Sequence, residues 1–168
     1  MNIFFLDNKP EVAAQMMHDK HVVKMILESA QMLCTAYHEL GYTGDIPYRK
    51  AYVNHPATIW TRTASANFDW LIQHSLELCK IYTNWRNRIH NTEQVIKWCN
   101  SNKHNLSIFT NPVDCITQRP KCIPDQYKTK TVIDSYLLYY ISEKVKANST
   151  WTDRPRPEMF IYHTLNKL

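Results

Sequence analysis

The stretch DKHVVKMILESAQ, residues 19 to 31, sets a lysine and a glutamate one helical turn apart, Lys24 and Glu28. An amine beside a carboxylate is minimal equipment for imine-forming or proton-transfer chemistry, because the amine attacks carbon only when deprotonated and the carboxylate accepts the proton. At about 100° per residue, Lys20, His21, Lys24, Glu28, Gln31 and Thr35 fall within one arc of roughly 100°. Val22, Val23, Met25, Ile26, Ala30, Met32, Leu33 and Cys34 fill most of the remaining circumference. So wide an apolar arc predicts neighbours on two or three sides, with the polar stripe facing either water or a cleft. As a solvated pair, Lys24 and Glu28 would stabilise the helix by about 0.3–0.5 kcal/mol. Lys before Glu is the weaker order for that purpose. A partly buried lysine beside a glutamate is instead an arrangement suited to a base, a nucleophile or a phosphate ligand, which makes Lys24, Glu28 and His21 the catalytic candidates.

Other residues are suited to holding phosphate. Asn54 and His55 precede Pro56 at a helix start, where free N–H groups and the helix dipole favour an anion, and Arg62 follows two turns later. The same turn serves equally as a helix cap. Lys20 extends the polar stripe. In WTDRPRPEMF, Arg154 and Arg156 offer guanidinium forks, and Trp151, with Tyr127 of CIPDQYK, offers stacking planes for bases. Trp151 equally suits sealing the core. His18 and His21 stand three apart, but zinc needs a third protein ligand and no matching pattern follows, so no metal and no cofactor are expected.

Composition narrows the class. The chain has 168 residues, 44% of them hydrophobic, enough for one domain, 1–168, with a sizeable core. The formal charge of +5 favours a nucleotide or DNA partner, although the basic residues are scattered. With only Gly41 and Gly44, the chain cannot build a P-loop or a dinucleotide-binding turn. Five cysteines without a Cys-x-x-Cys pair suggest reduced thiols. The apolar run in MNIFFLDNKPE is too short for a signal peptide, and no segment reaches membrane-spanning length, so a cytoplasmic protein with no membrane partner is expected.

The elements that must position these residues are helices. A long helix is predicted from about Asn8–Pro10 to Leu40, ending at Gly41, and residues 41 to 54 form a loop. A second runs from Pro56 to about Trp85, with Trp60, Ala64, Phe68, Leu71, Ser75 and Leu78 on its core face. A third spans Thr92 to Asn100 and a fourth Thr131 to Ala147. Residues 3 to 6 form a short strand or an apolar lead-in. Residues 101 to 130, with Pro112, Pro120 and Pro124, form a long surface loop of the kind that often carries function. The fold class is mainly α, a single-domain helical bundle with a long Pro-containing loop.

The segments DKHVVKMILESAQML, NHPATIW, CIPDQYK, YYISEK and WTDRPRPEMF, in this order, resemble a family of small tailed-bacteriophage proteins, some of which carry the label pyrimidine-dimer DNA glycosylase. The resemblance implies a phage enzyme acting on a nucleic-acid base or nucleotide, glycosylase/lyase-like or base-modifying, in the cytoplasm of a host cell. In such glycosylases the nucleophile is the α-amine of a small residue exposed by removal of the initiator methionine, assisted by a glutamate. Here the second residue is Asn2, whose bulk hinders that removal, so a side-chain amine, Lys24 or Lys20, is the expected nucleophile. The alternatives are a non-catalytic protein that sequesters a nucleotide signal to counter host defence, often as a homo-oligomer, and an inhibitor of a host enzyme.

Overall fold

The computed structural model describes residues 1–165, with side chains to residue 161. It is all helical, with no strand among the described residues. The order is α1 (Pro10–Met16), α2 (Asp19–Glu39), α3 (Pro56–Thr63), α4 (Ser65–Arg86), α5 (Glu93–Asn102), α6 (Ser107–Thr110), α7 (Val132–Tyr139) and α8 (Glu158–Leu165). Helices α2 and α4 form the central pair; α1 lies on α4, α3 on both, and α5 closes the far end against both. No described helix is long and apolar enough to cross a membrane.

Each of the two long predicted helices is broken once, and both breaks are imposed from distant parts of the chain. Between α1 and α2, Met17 and His18 are extended, with ψ of 139° and 161°. Their polar groups turn to the C-terminal third: the His18 N–H donates to the Tyr140 hydroxyl (3.2 Å), the Asp19 N–H to the Thr150 carbonyl (2.9 Å), and the Met17 carbonyl accepts from Arg154 Nη2 (2.6 Å). These three backbone groups at the break thus each find a partner. Between α3 and α4, Ala64 is extended (φ −149°, ψ 151°). There the Ser65 hydroxyl and the Val113 backbone bond reciprocally (3.1 and 2.9 Å), and Asn67 joins the Trp60 carbonyl (2.8 Å) to the Thr117 hydroxyl (2.6 Å).

The predicted fourth helix is also shorter. After Tyr139 the chain winds through one π-type turn, Tyr140–Lys144, and leaves the helix at Val145. Residues 3 to 6 are a buried segment without regular secondary structure; Phe5 packs edge-on against Trp60 and Tyr136, and Phe4 stacks on His21 (4.8 Å between centroids, 17° between planes). The loop after α5 carries α6 and two 3₁₀ turns, over Lys103–Asn105 and Asp125–Tyr127. The tail beyond Ser149 doubles back over the start of α2, where Trp151 Nε1 donates to the Met16 carbonyl (3.0 Å). The last three residues, with the side chains of residues 162 to 165, lie outside the described part.

Candidate active site

The polar stripe of α2 faces a cleft. Because residues 3 to 6 are core, the chain start is drawn in against α2, and Met1, Asn2, Phe4, His21, Lys24, Met25 and Glu28 line a cavity of about 270 Å³ together with Cys122, Tyr139 and Lys144. Three nitrogens converge on the Glu28 carboxylate. The α-ammonium of Met1 lies 3.9 Å from Oε2, the Asn2 N–H donates to the same oxygen at 3.0 Å, and Lys24 Nζ is 3.3 Å from Oε1. The Glu28 side chain is 12% exposed and that of Lys24 65% exposed, so Lys24 stands at the mouth rather than partly buried as expected.

The chain start is held by segments more than a hundred residues away. Asn2 Nδ2 donates to the Cys122 carbonyl (2.9 Å), while Asn2 Oδ1 accepts from its neighbour Ile3 N–H (2.8 Å) and the Tyr136 hydroxyl (3.0 Å). The same hydroxyl accepts from the Cys122 N–H (3.1 Å), which ties α7, the long loop and the N-terminus into one network. On the other side Met1 Sδ accepts from the Thr58 hydroxyl (3.5 Å) on α3. Together these partners fix the α-amine against the carboxylate, the kind of preorganisation that catalysis requires.

The imidazoles beside the cavity are neutral at ordinary pH. Burial, reinforced by His18, Lys144 and Lys24, lowers the His21 pKa to about 3. Burial lowers that of His18 to about 4, with Lys20 and Arg154 adding and Asp19 opposing. Their rings lie 4.2 Å apart. Among the described residues there is no group of three or more His, Cys, Asp or Glu side chains that could hold a metal ion. Burial pushes the Cys122 thiol up.

Of the residues singled out from sequence, Lys24, Glu28 and His21 meet in this cavity. Lys20 lines a smaller cavity beside it. His55 caps α3 by accepting the Ala57 N–H at Nδ1 (3.2 Å), and it lines an open groove that adjoins the main cavity at Cys122. Its pKa is lowered by burial and by the α-ammonium. Asn54 is exposed just before it. Arg62 is engaged within the fold, donating to the Val53 carbonyl (2.9 Å). Arg154 is 6% exposed and paired with Asp19 Oδ1 (3.0 Å), and Arg156 lies over the Trp151 ring (5.0 Å) and donates to the Phe160 carbonyl. Trp151 is buried, and the Tyr127 hydroxyl donates to Glu143. None of Arg154, Arg156, Tyr127 and Trp151 lines the cavity.

Sequence reasoning weighed the α-amine and set it aside for a side-chain amine on account of Asn2, and it did not single out Cys122, Tyr139 or Lys144. One signal for the amine was available: an apolar run at residues 3 to 6 that enters the core leaves the terminal nitrogen within two residues of it. Cys122 and Lys144 lie within CIPDQYK and YYISEK, but in a loop and a π turn that no helical period connects to α2.

A sequence profile described as pyrimidine dimer DNA glycosylase matches residues 1–97, more than half of the chain. The matched part carries the α-amine, His21, Lys24, Glu28, His55 and Arg62. Comparisons with curated proteins and with solved structures gave no significant match.

Proposed function

Because the chain belongs to the pyrimidine dimer DNA glycosylase family, we propose that it cleaves the glycosidic bond of a damaged pyrimidine in DNA, using its own N-terminal α-amine as nucleophile and Glu28 as proton acceptor and donor. The observation that carries this reading is the convergence on one buried carboxylate of the Met1 ammonium and the Asn2 N–H. Either state of the N-terminus leaves an amine there. With Met1 present its nitrogen is 3.9 Å from Glu28; were Met1 removed, the nitrogen now at 3.0 Å would become the amine.

In the first step the ammonium gives a proton to Glu28, and the free amine forms a bond to deoxyribose C1′ as the C1′–base bond breaks. The bonding electron pair leaves with the base, which takes up the proton that the attacking nitrogen sheds to regain its lone pair. That lone pair next expels ring oxygen O4′, which takes the proton held by Glu28, leaving an iminium at C1′ and Glu28 again a carboxylate. Removal of a C2′ proton, a second task for the Glu28 carboxylate, drives elimination of the 3′ phosphate. At about 270 Å³ the cavity falls just below the usual range of ligand sites, roughly 300–1,000 Å³. That suits one sugar in an extruded geometry rather than a whole dinucleotide.

Lys24 supports a second reading, in which its ammonium, 3.3 Å from Glu28 and at the mouth of the cavity, is the nucleophile. One experiment tests both. The protein is incubated with duplex DNA carrying a thymine dimer or an abasic site, the imine is reduced with borohydride, and the cross-linked peptide is mapped by mass spectrometry. The proposal expects the adduct on the N-terminal peptide. An adduct on Lys24 would transfer the role to that side chain, and absence of both adduct and strand cleavage on either DNA would refute the glycosylase reading.

A further inference from the structure

A second, smaller cavity of about 70 Å³ adjoins the amine site, lined by His18, Lys20, Lys144, Lys146 and the Asn148–Thr150 turn. Lys144 borders both cavities. We propose that this cavity is a phosphate subsite, which holds a phosphodiester of the DNA strand next to the nucleotide whose sugar enters the amine site; in that form it rests on the glycosylase reading.

Two independent features point to an anion. The three lysines surround the cavity, yet none has a carboxylate partner among the described residues, whereas six of the lysines elsewhere are paired within 4 Å. Uncompensated positive charge on this scale around a concave site is the pattern that concentrates an anionic ligand. Second, His18 is only 5% exposed and lines the cavity, and its Nε2, closed off from solvent, has no hydrogen-bond partner among the described residues. A buried nitrogen of this kind is costly unless a ligand or water meets it. The nearby Asp19 carboxylate does not cancel the field, because it is committed to Arg154 (3.0 Å) and to the Thr152 hydroxyl (2.8 Å). The cavity also lies at the start of α2, whose dipole adds partial positive charge.

Dimensions favour one phosphate. About 70 Å³ is far below the roughly 300 Å³ of a small-molecule site, so a base or sugar does not fit but a single anionic group does. Position favours a polymer. The groove at His55 and Lys121 meets the amine cavity at Cys122, and the amine cavity meets this one at Lys144, so three concavities adjoin in sequence. Lys144 reaches the shared wall because the π turn carries it there, with its ammonium 4.7 Å over the Tyr139 ring. Such turns recur at functional positions.

The test has two arms. In the first, lysine acetylation is mapped by mass spectrometry with inorganic phosphate, with a nucleoside monophosphate, or with a duplex bearing a tetrahydrofuran abasic analogue. Protection of Lys20, Lys144 and Lys146 but not of Lys80 or Lys97 is expected with each. No protection by any probe overturns the subsite, whatever the trapping experiment gives. Protection by phosphate and mononucleotide but not by duplex keeps the anion site, overturns its assignment to a DNA strand and counts against the glycosylase reading. In the second arm, single methylphosphonates are scanned across the duplex. One position should weaken wild-type binding by about tenfold, and the Lys20→Ala/Lys146→Ala protein should lose that discrimination and show a smaller salt slope. Equal weakening of the variant at every position would overturn the subsite in favour of a diffuse basic surface.

Discussion

His74 lies on α4 with its ring stacked on Trp70 (5.0 Å between centroids, 14° between planes), 1% exposed, and neither ring nitrogen has a hydrogen-bond partner among the described residues. Burial lowers its pKa from 6.5 to about 3. Above pH 6.5 the imidazole is neutral folded or unfolded, and its contribution does not vary with pH. As pH falls below 6.5 the unfolded chain takes up a proton that the folded chain refuses, so stability drops by about 1.4 kcal/mol per pH unit until about pH 3. Between pH 7 and pH 5 the loss attributable to His74 is therefore about 2 kcal/mol. His74→Phe keeps the stacked ring and removes the titration. Its effect at pH 7 mixes a gain of about 1–3 kcal/mol, from deleting unpaired nitrogens, with a similar cost for the larger ring. The pH-dependent part is free of that ambiguity, and contributions from His18 and His21 cancel between the two proteins. Urea unfolding at pH 7 and pH 5 should show the wild type losing about 2 kcal/mol more than the variant, a midpoint difference of about 1 M. His74→Leu serves as a second variant should the Phe ring not fit. Identical pH dependence in wild type and variants would refute the burial argument.

Glu28→Gln should keep the helical circular dichroism spectrum and lower strand cleavage on dimer-containing DNA by about 10²–10⁴-fold, the usual range for removal of an acid–base group. A single residue added ahead of Met1 should abolish borohydride trapping while thermal unfolding changes little, because it displaces the α-amine but leaves residues 3 to 6 in the core; unchanged trapping would point to Lys24. Arg154→Met strands the buried Asp19 carboxylate and should destabilise the fold by about 3–5 kcal/mol in urea titrations. If it instead weakens DNA binding with stability intact, Arg154 holds phosphate rather than the tail.

The legible parts of this fold were those whose cause is local. The stripe from Lys20 to Thr35 was visible because α2 repeats every 3.6 residues, and the cap at His55–Pro56 because it is written in adjacent residues. The break at Met17–His18 was not, because its partners are Tyr140, Thr150 and Arg154, and no window around residue 17 contains them. Arg154 shows the same gap from the other side. Its guanidinium suits a phosphate, but an acid at the start of α2 satisfies it first, and only the doubled-back tail brings the two together. The candidate site repeats this division of labour. Glu28 and Lys24 come from one periodic helix inside the matched region, whereas the nitrogen set against them is held by Cys122 and Tyr136 and the adjoining cavity is closed by Lys144. On the proposed reading, residues 1–97 supply the amine and the carboxylate, and the remainder of the chain supplies the contacts that hold the amine in place.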